Sequence, residues 1–110
     1  MRVETLPSNT ERGLSMILIN VHCDVDPAKR DAFKDYLKNL VEKSRQDQGN
    51  LFYTYLIDGL DENKFMIVEN WADQAAIDAH NKTAHLQDFL QNARSYLTKD
   101  FVIRIAEVAE

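Results

Sequence analysis

A chain of 110 residues, 45% hydrophobic and 28% charged, has the size and composition of one globular domain and leaves no room for a second core. Its formal net charge of -5, with 13 Lys and Arg scattered among 18 Asp and Glu, disfavours nucleic acid and anionic membrane surfaces as partners. No apolar run approaches the ~20 residues of a membrane span, and the first residues carry neither a signal-peptide pattern nor a lipidation motif, so a cytoplasmic location is expected.

Cys23 is the single cysteine, which excludes an internal disulfide and a CxxC redox or metal motif. It reads as a small apolar strand residue. Residues 1–14, with Pro7, Ser8, Asn9, Thr10 and Gly13, are polar and turn-rich, and are expected to be an arm ahead of a domain spanning 15–110. The alternative is that residues 3–6 form a short extra strand.

Residues 16–25 are rich in Ile and Val and alternate with period two, the pattern of a strand. Asp26-Pro27 is a helix start: the carboxylate caps free amides, and proline at the first helical position forfeits no hydrogen bond. Phe33, Leu37, Leu40, Val41 and Ser44 then recur at helical spacing, and Gly49 ends the helix as a left-handed C′ residue. Residues 51–57, with Phe52, Tyr53, Thr54 and Tyr55, make a second strand. The turn beginning at Asp58-Gly59 returns the chain as a third, 65–71, antiparallel to it. Asp73 caps a short helix near 74–81, Thr83 caps another bearing Leu86, Phe89, Leu90, Ala93 and Leu97, and residues 101–108 form the last strand.

The order strand, helix, strand, strand, helix, strand, with the second helix broken in two, predicts an α+β, ferredoxin-like split βαβ fold with a four-stranded antiparallel sheet and helices on one face. The alternation is read as placing Ile17, Ile19, Val21, Met66 and Val68 on the bare face, where a second copy would cover them as a homodimer packed sheet to sheet. The helix-facing row then holds Asn20, His22, Glu69 and Trp71. Burying polar groups unpaired costs ~1–3 kcal/mol each, so these either pair with one another or line a pocket for a polar ligand. His80 and His85 come from the two helix pieces above this row, with Tyr53 or Tyr55 at the rim. Glu69 has a plainer option in a salt bridge to Arg104.

Other chemistries find little support. The helix histidines are five residues apart across a break, so no shared helix face offers them to a metal together with His22 or Glu69. There is no nucleophile elbow and no glycine-rich phosphate loop, so no nucleotide or flavin cofactor is expected.

Over residues 16–108 the chain resembles the antibiotic biosynthesis monooxygenase family of small dimeric α+β barrel proteins. The likeness is carried by the Pro-started first helix, Gln48-Gly49-Asn50-Leu51-Phe52-Tyr53, Glu69-Asn70-Trp71, Ala76-Ile77-Asp78-Ala79-His80 and Thr83-Ala84-His85. The resemblance implies cofactor-free oxidation by molecular oxygen of an electron-rich aromatic such as a quinol or anthrone. On that reading His80 or His85 is the base, Asn20 the oxyanion donor, Trp71 a ring wall, and Glu69 the group that orients a histidine or stabilises its charge. Tyr53, Tyr55, His22 and Phe89 would complete the substrate pocket.

The same scaffold is similar to haem-degrading monooxygenases, whose first-strand Asn and third-strand Trp match Asn20 and Trp71, although the expected haem ligand falls near Phe89. It is also similar to the isomerase-like autoinducer-2 degradation enzyme, through Gly49-Asn50-Leu51, which would make the substrate a small phosphorylated ketone. A non-catalytic ligand-binding module is the remaining alternative.

Overall fold

The computed structural model describes residues 1–5 and 14–109. Strand β1 is Arg2–Thr5 and β2 is Leu14–Asp24; a 3₁₀ turn at Pro27–Lys29 leads into helix α1, Arg30–Ser44. Strands β3, Asn50–Asp58, and β4, Asp61–Trp71, form the hairpin. Helices α2, Gln74–Asn81, and α3, Ala84–Asn92, follow, and after a second 3₁₀ turn β5, Val102–Ala109, closes the fold.

The local signals act as expected. The Asp26 carboxylate accepts from the Ala28 amide at 2.9 Å, and Pro27 opens the turn. Asp73 accepts from Ala76 N at 2.9 Å and Thr83 Oγ1 from Leu86 N at 3.3 Å, so each half of the broken helix has its own cap. All five stripe residues of α1, Phe33, Leu37, Leu40, Val41 and Ser44, are buried.

The sheet order is β1-β5-β2-β4-β3, with β1 parallel to β5 and the other neighbours antiparallel. Five strands stand where four were expected. The extra one lies within the arm and is close to the alternative placed at residues 3–6; the turn-rich residues 7–13 fall outside the described residues.

The faces of the sheet differ from the sequence expectation. Ile17 stands opposite Trp71, Ile19 opposite Glu69, Val21 opposite Ile67 and Cys23 opposite Phe65, and all eight are buried beneath the helices. Residues directly opposite share a face. The helix-covered face therefore carries Ile17, Ile19 and Val21 together with Glu69 and Trp71. Asn20, opposite Val68, and His22, opposite Met66, lie on the other face. Each strand's alternation was legible, but the two were joined in the wrong phase; a one-residue change of register exchanges every side chain between faces. The uncovered face is apolar all the same, with Leu18, Met66, Val68, Phe52 and Leu56, the last two being 47% and 52% exposed.

Gly49 sets how closely α2 approaches the turn after α1. It has φ +83°, and a Cβ there would sit 2.4 Å from the Ala76 Cβ, so only glycine fits both the left-handed backbone and the contact. Its carbonyl also accepts from Ala72 N at 2.9 Å. The turn is thus pressed against α2, and Asp47, two residues earlier, lies under that helix.

Candidate functional site

Asp47 is the hub of a cluster that the sequence did not suggest. His80 Nδ1 lies 2.7 Å and His85 Nε2 2.8 Å from the same oxygen, Asp47 Oδ2. The break between α2 and α3 makes this possible, because Thr83 turns the chain back: its amide and hydroxyl both donate to the His80 carbonyl, at 3.0 and 2.7 Å. The five-residue spacing that argued against a shared helix face therefore does not keep the histidines apart. A signal for Asp47 did exist. An acid just past a helix C-terminus has the wrong sign for the helix dipole, which hints at another use.

His80 is almost wholly enclosed, 2% exposed. Its ring centroid is 4.5 Å from Trp71 and 5.7 Å from Tyr53. Among the described residues its Nε2 has no hydrogen-bond partner. A nitrogen 2.7 Å from a carboxylate oxygen carries its hydrogen there, so in the neutral ring Nδ1 donates and Nε2 keeps a free lone pair. Burial lowers the pKa of His80 below the usual histidine value; Asp47 opposes that shift and His85 adds slightly to it.

A cavity of about 310 Å³ lies between the helices and the sheet. His80, Glu69, Tyr53, Phe89, Ile19 and Ile105 are among its walls, and Met1 and Val3 of the N-terminal segment stand at its edge. Glu69 is buried and accepts from Trp71 Nε1 at 2.9 Å. Burial pushes its carboxyl from the ordinary 4.5 up to about 7, although the indole N–H pulls the other way. Near neutrality this group has a substantial protonated fraction and can donate a hydrogen bond. Burial also holds the Tyr53 phenol well above its ordinary range, so it stays protonated.

The remaining candidates divide. Trp71 backs both His80 and Glu69 and does not itself line the cavity. Tyr55 is on the helix-covered face but stacks on Phe65 at 5.8 Å, away from the cavity. His85 looks outward into a groove bordered by Tyr36, Asn39, Lys43 and Asp88. Asn20 and His22 are across the sheet, so the expectation that they share a pocket with Glu69 is corrected. His22 Nε2 lies 3.3 Å from Arg104 Nη1 there, and Arg104 pairs with Glu4 rather than Glu69.

With the site in view, comparison with known proteins is informative. Residues 16–92 match the antibiotic biosynthesis monooxygenase family. The chain belongs to this family. The Bacillus subtilis protein YcnE, provisionally named a monooxygenase, is 34% identical over 95 residues, covering 86% of this chain and 100% of that one. A Caulobacter crescentus crystal structure, provisionally named an antibiotic biosynthesis monooxygenase, superposes with TM-score 0.81 at 21% identity, covering 90% of this chain and 94% of that one. A conserved protein from Methanosarcina mazei Go1 gives TM-score 0.80 at 22% identity, over 84% and 91% of the two chains. At those identities the structures speak for the α+β fold that the family shares. None of the helices among the described residues is long and apolar enough to cross a membrane.

Proposed function

We propose that this family member is an enzyme that oxidises an electron-rich aromatic, a quinol or an anthrone, with molecular oxygen and without a cofactor. The observation that carries the reading is the buried, unpartnered Nε2 of His80, a residue that lines an apolar cavity and is held in one tautomer by Asp47. A cavity of about 310 Å³ is at the small end of ligand pockets, which begin at about 300 Å³, and suits a small aromatic of up to three fused rings better than a large cofactor.

The chemistry asks little of the protein. His80 Nε2 takes a proton from the substrate's hydroxyl or benzylic carbon, and the Asp47 carboxylate stabilises the imidazolium. The resulting phenolate or carbanion supplies all the electrons that reduce oxygen. One oxygen atom becomes bonded to carbon, that carbon gives up a second hydrogen as a proton, the O–O bond breaks, and this proton and the one held by His80 leave with the second oxygen as water. Protonated Glu69 replaces Asn20 as the donor to the developing oxyanion, in a site where burial strengthens that bond.

The alternatives fit less well. The haem-degrading likeness rested on Asn20 and Trp71, which are on opposite faces of the sheet. A phosphorylated ketone calls for cationic side chains, yet no Lys or Arg is among the described residues lining the cavity. The uncovered apolar sheet face supports a homodimer packed through Leu18, Met66, Val68, Phe52 and Leu56.

An oxygen electrode tests the reading, with reduced menadiol or an anthrone as substrate. Uptake above the spontaneous rate that disappears in His80→Ala is expected. No uptake above background across several quinols and anthrones would overturn it.

A further inference from the structure

The cluster around Asp47 has a second capability. His80 Nδ1, His85 Nε2 and the Asp47 carboxylate come from three separate segments, and these donor atoms all lie within 4.8 Å of one another. We infer that Asp47, His80 and His85 form a binding site for a first-row divalent ion such as Zn²⁺, and that the ion and the base role of His80 exclude each other.

Two imidazoles and one carboxylate are a donor set that zinc and its neighbours accept, whereas Mg²⁺ and Ca²⁺ prefer all-oxygen shells. Donors about 2.0–2.1 Å from a tetrahedral ion are roughly 3.3 Å apart. The two N···O separations of 2.7 and 2.8 Å must therefore open by roughly half an ångström, and the two ring nitrogens, within 4.8 Å of each other, must come to that same spacing. The hydrogen bonds from Thr83 to the His80 carbonyl fix the turn that brings the two rings together. The outer groove of about 500 Å³ reaches His85 from solvent and offers the ion a path that avoids the inner cavity.

Proton accounting gives the exclusion. In the metal-free cluster both ring nitrogens donate an N–H to Asp47 Oδ2. An ion needs those two lone pairs, so each proton must move to the other nitrogen of its ring or leave the imidazole. For His80 the other nitrogen is Nε2, which has no partner among the described residues. Once protonated there, His80 has no lone pair with which to accept a proton from substrate. This second half rests on the base role proposed above; ion binding itself does not.

The test has two arms. Calorimetry with Zn²⁺, and visible absorption with Co²⁺, should each show one ion per chain. Affinity should fall at least about tenfold in Asp47→Ala and in His85→Gln, a mild change at a partly exposed position, and should hold in His22→Gln. Absence of stoichiometric binding overturns the site, as does unchanged affinity in both Asp47→Ala and His85→Gln. In the second arm Zn²⁺ should suppress quinol-dependent oxygen uptake at the concentration that fills the site, and a chelator should restore it. Ion binding without suppression would overturn the exclusion. Ion binding by a chain with no uptake at all would overturn the base role while leaving the site standing.

Discussion

His80 and Asp47 are 33 residues apart in sequence, and their Nδ1 and Oδ2 atoms are 2.7 Å apart. The contact fixes which nitrogen of the buried ring keeps its lone pair, and it supplies the negative charge that an imidazolium needs there. Asp47→Asn keeps the size of the side chain and removes that charge. Turnover of a quinol should fall about a hundredfold, the range over which a positioned base acts, while KM changes little. Steady-state kinetics by oxygen uptake measure both, and a kcat within twofold of the unaltered protein would show that Asp47 does not support catalysis.

Glu69 and His80 should set the limits of a pH profile. The base must be neutral, and burial lowers its pKa, so the acidic limb of kcat/KM should lie below the ordinary histidine value of 6.5. The donor must be protonated, so the alkaline limb should fall near pH 7, where Glu69 titrates. Glu69→Gln stays neutral at every pH and should abolish the alkaline limb. A limb that persists unchanged in that variant would remove Glu69 from the mechanism.

The same carboxyl should appear in stability. Its pKa is raised in the folded chain, so folding holds a proton that the unfolded chain releases above about 4.5. Stability should be greatest below pH 4.5 as far as this group is concerned, decline as pH rises to about 7, and be flat beyond. Across that window the loss is about 3 kcal/mol at 1.36 kcal/mol per pH unit. Urea denaturation of Glu69→Gln at a series of pH values should lack this downward slope; the same slope in both proteins would contradict the assignment.

What the sequence could disclose follows the range of each interaction. Caps at Asp26, Asp73 and Thr83, the stripe from Phe33 to Ser44 and the left-handed backbone of Gly49 depend on neighbours a few residues away, and each was legible, although the helix ends at Ser44 and Gly49 lies in the turn beyond it rather than at its C′ position. The phase of β2 against β4 depends on pairing across some fifty residues, where Ile17 meets Trp71, and alternation alone cannot supply it. That error carried Asn20 and His22 into the site and put Ile19 outside the helix-covered face. Asp47 was missed for a related reason: its partners belong to a helix pair more than thirty residues away, and only the approach at Gly49 brings them together. His80 and Glu69, which the fold brings to one cavity, stood out because polar groups are unusual near the end of a strand and the start of a covering helix.

Gly49→Ala tests that approach. The added Cβ would sit 2.4 Å from the Ala76 Cβ, and the left-handed backbone is itself unfavourable by about 1–2 kcal/mol for a residue with a side chain. A loss of about 2 kcal/mol or more in denaturant-derived stability is expected. Because Asp47 is carried by the same turn, the pKa of His80 measured by NMR should also move. A variant as stable as its parent would mean that the turn yields easily and does not set the Asp47–His80 distance.

The uncovered face makes the last prediction. Val68 is central on β4, opposite Asn20 on one side and Thr54 on the other, and points away from the helices. A lysine there can extend into solvent in an isolated chain, so the monomer should fold. In a dimer packed through this face it would be driven against apolar partner surface with its charge unpaired, which costs several kcal/mol. The unaltered protein should therefore show twice its chain mass by light scattering at micromolar concentration, and Val68→Lys should show a single chain mass with an unchanged circular dichroism spectrum. A single chain mass for the unaltered protein would exclude the dimer. A Val68→Lys variant that still dimerises would move the interface to another surface.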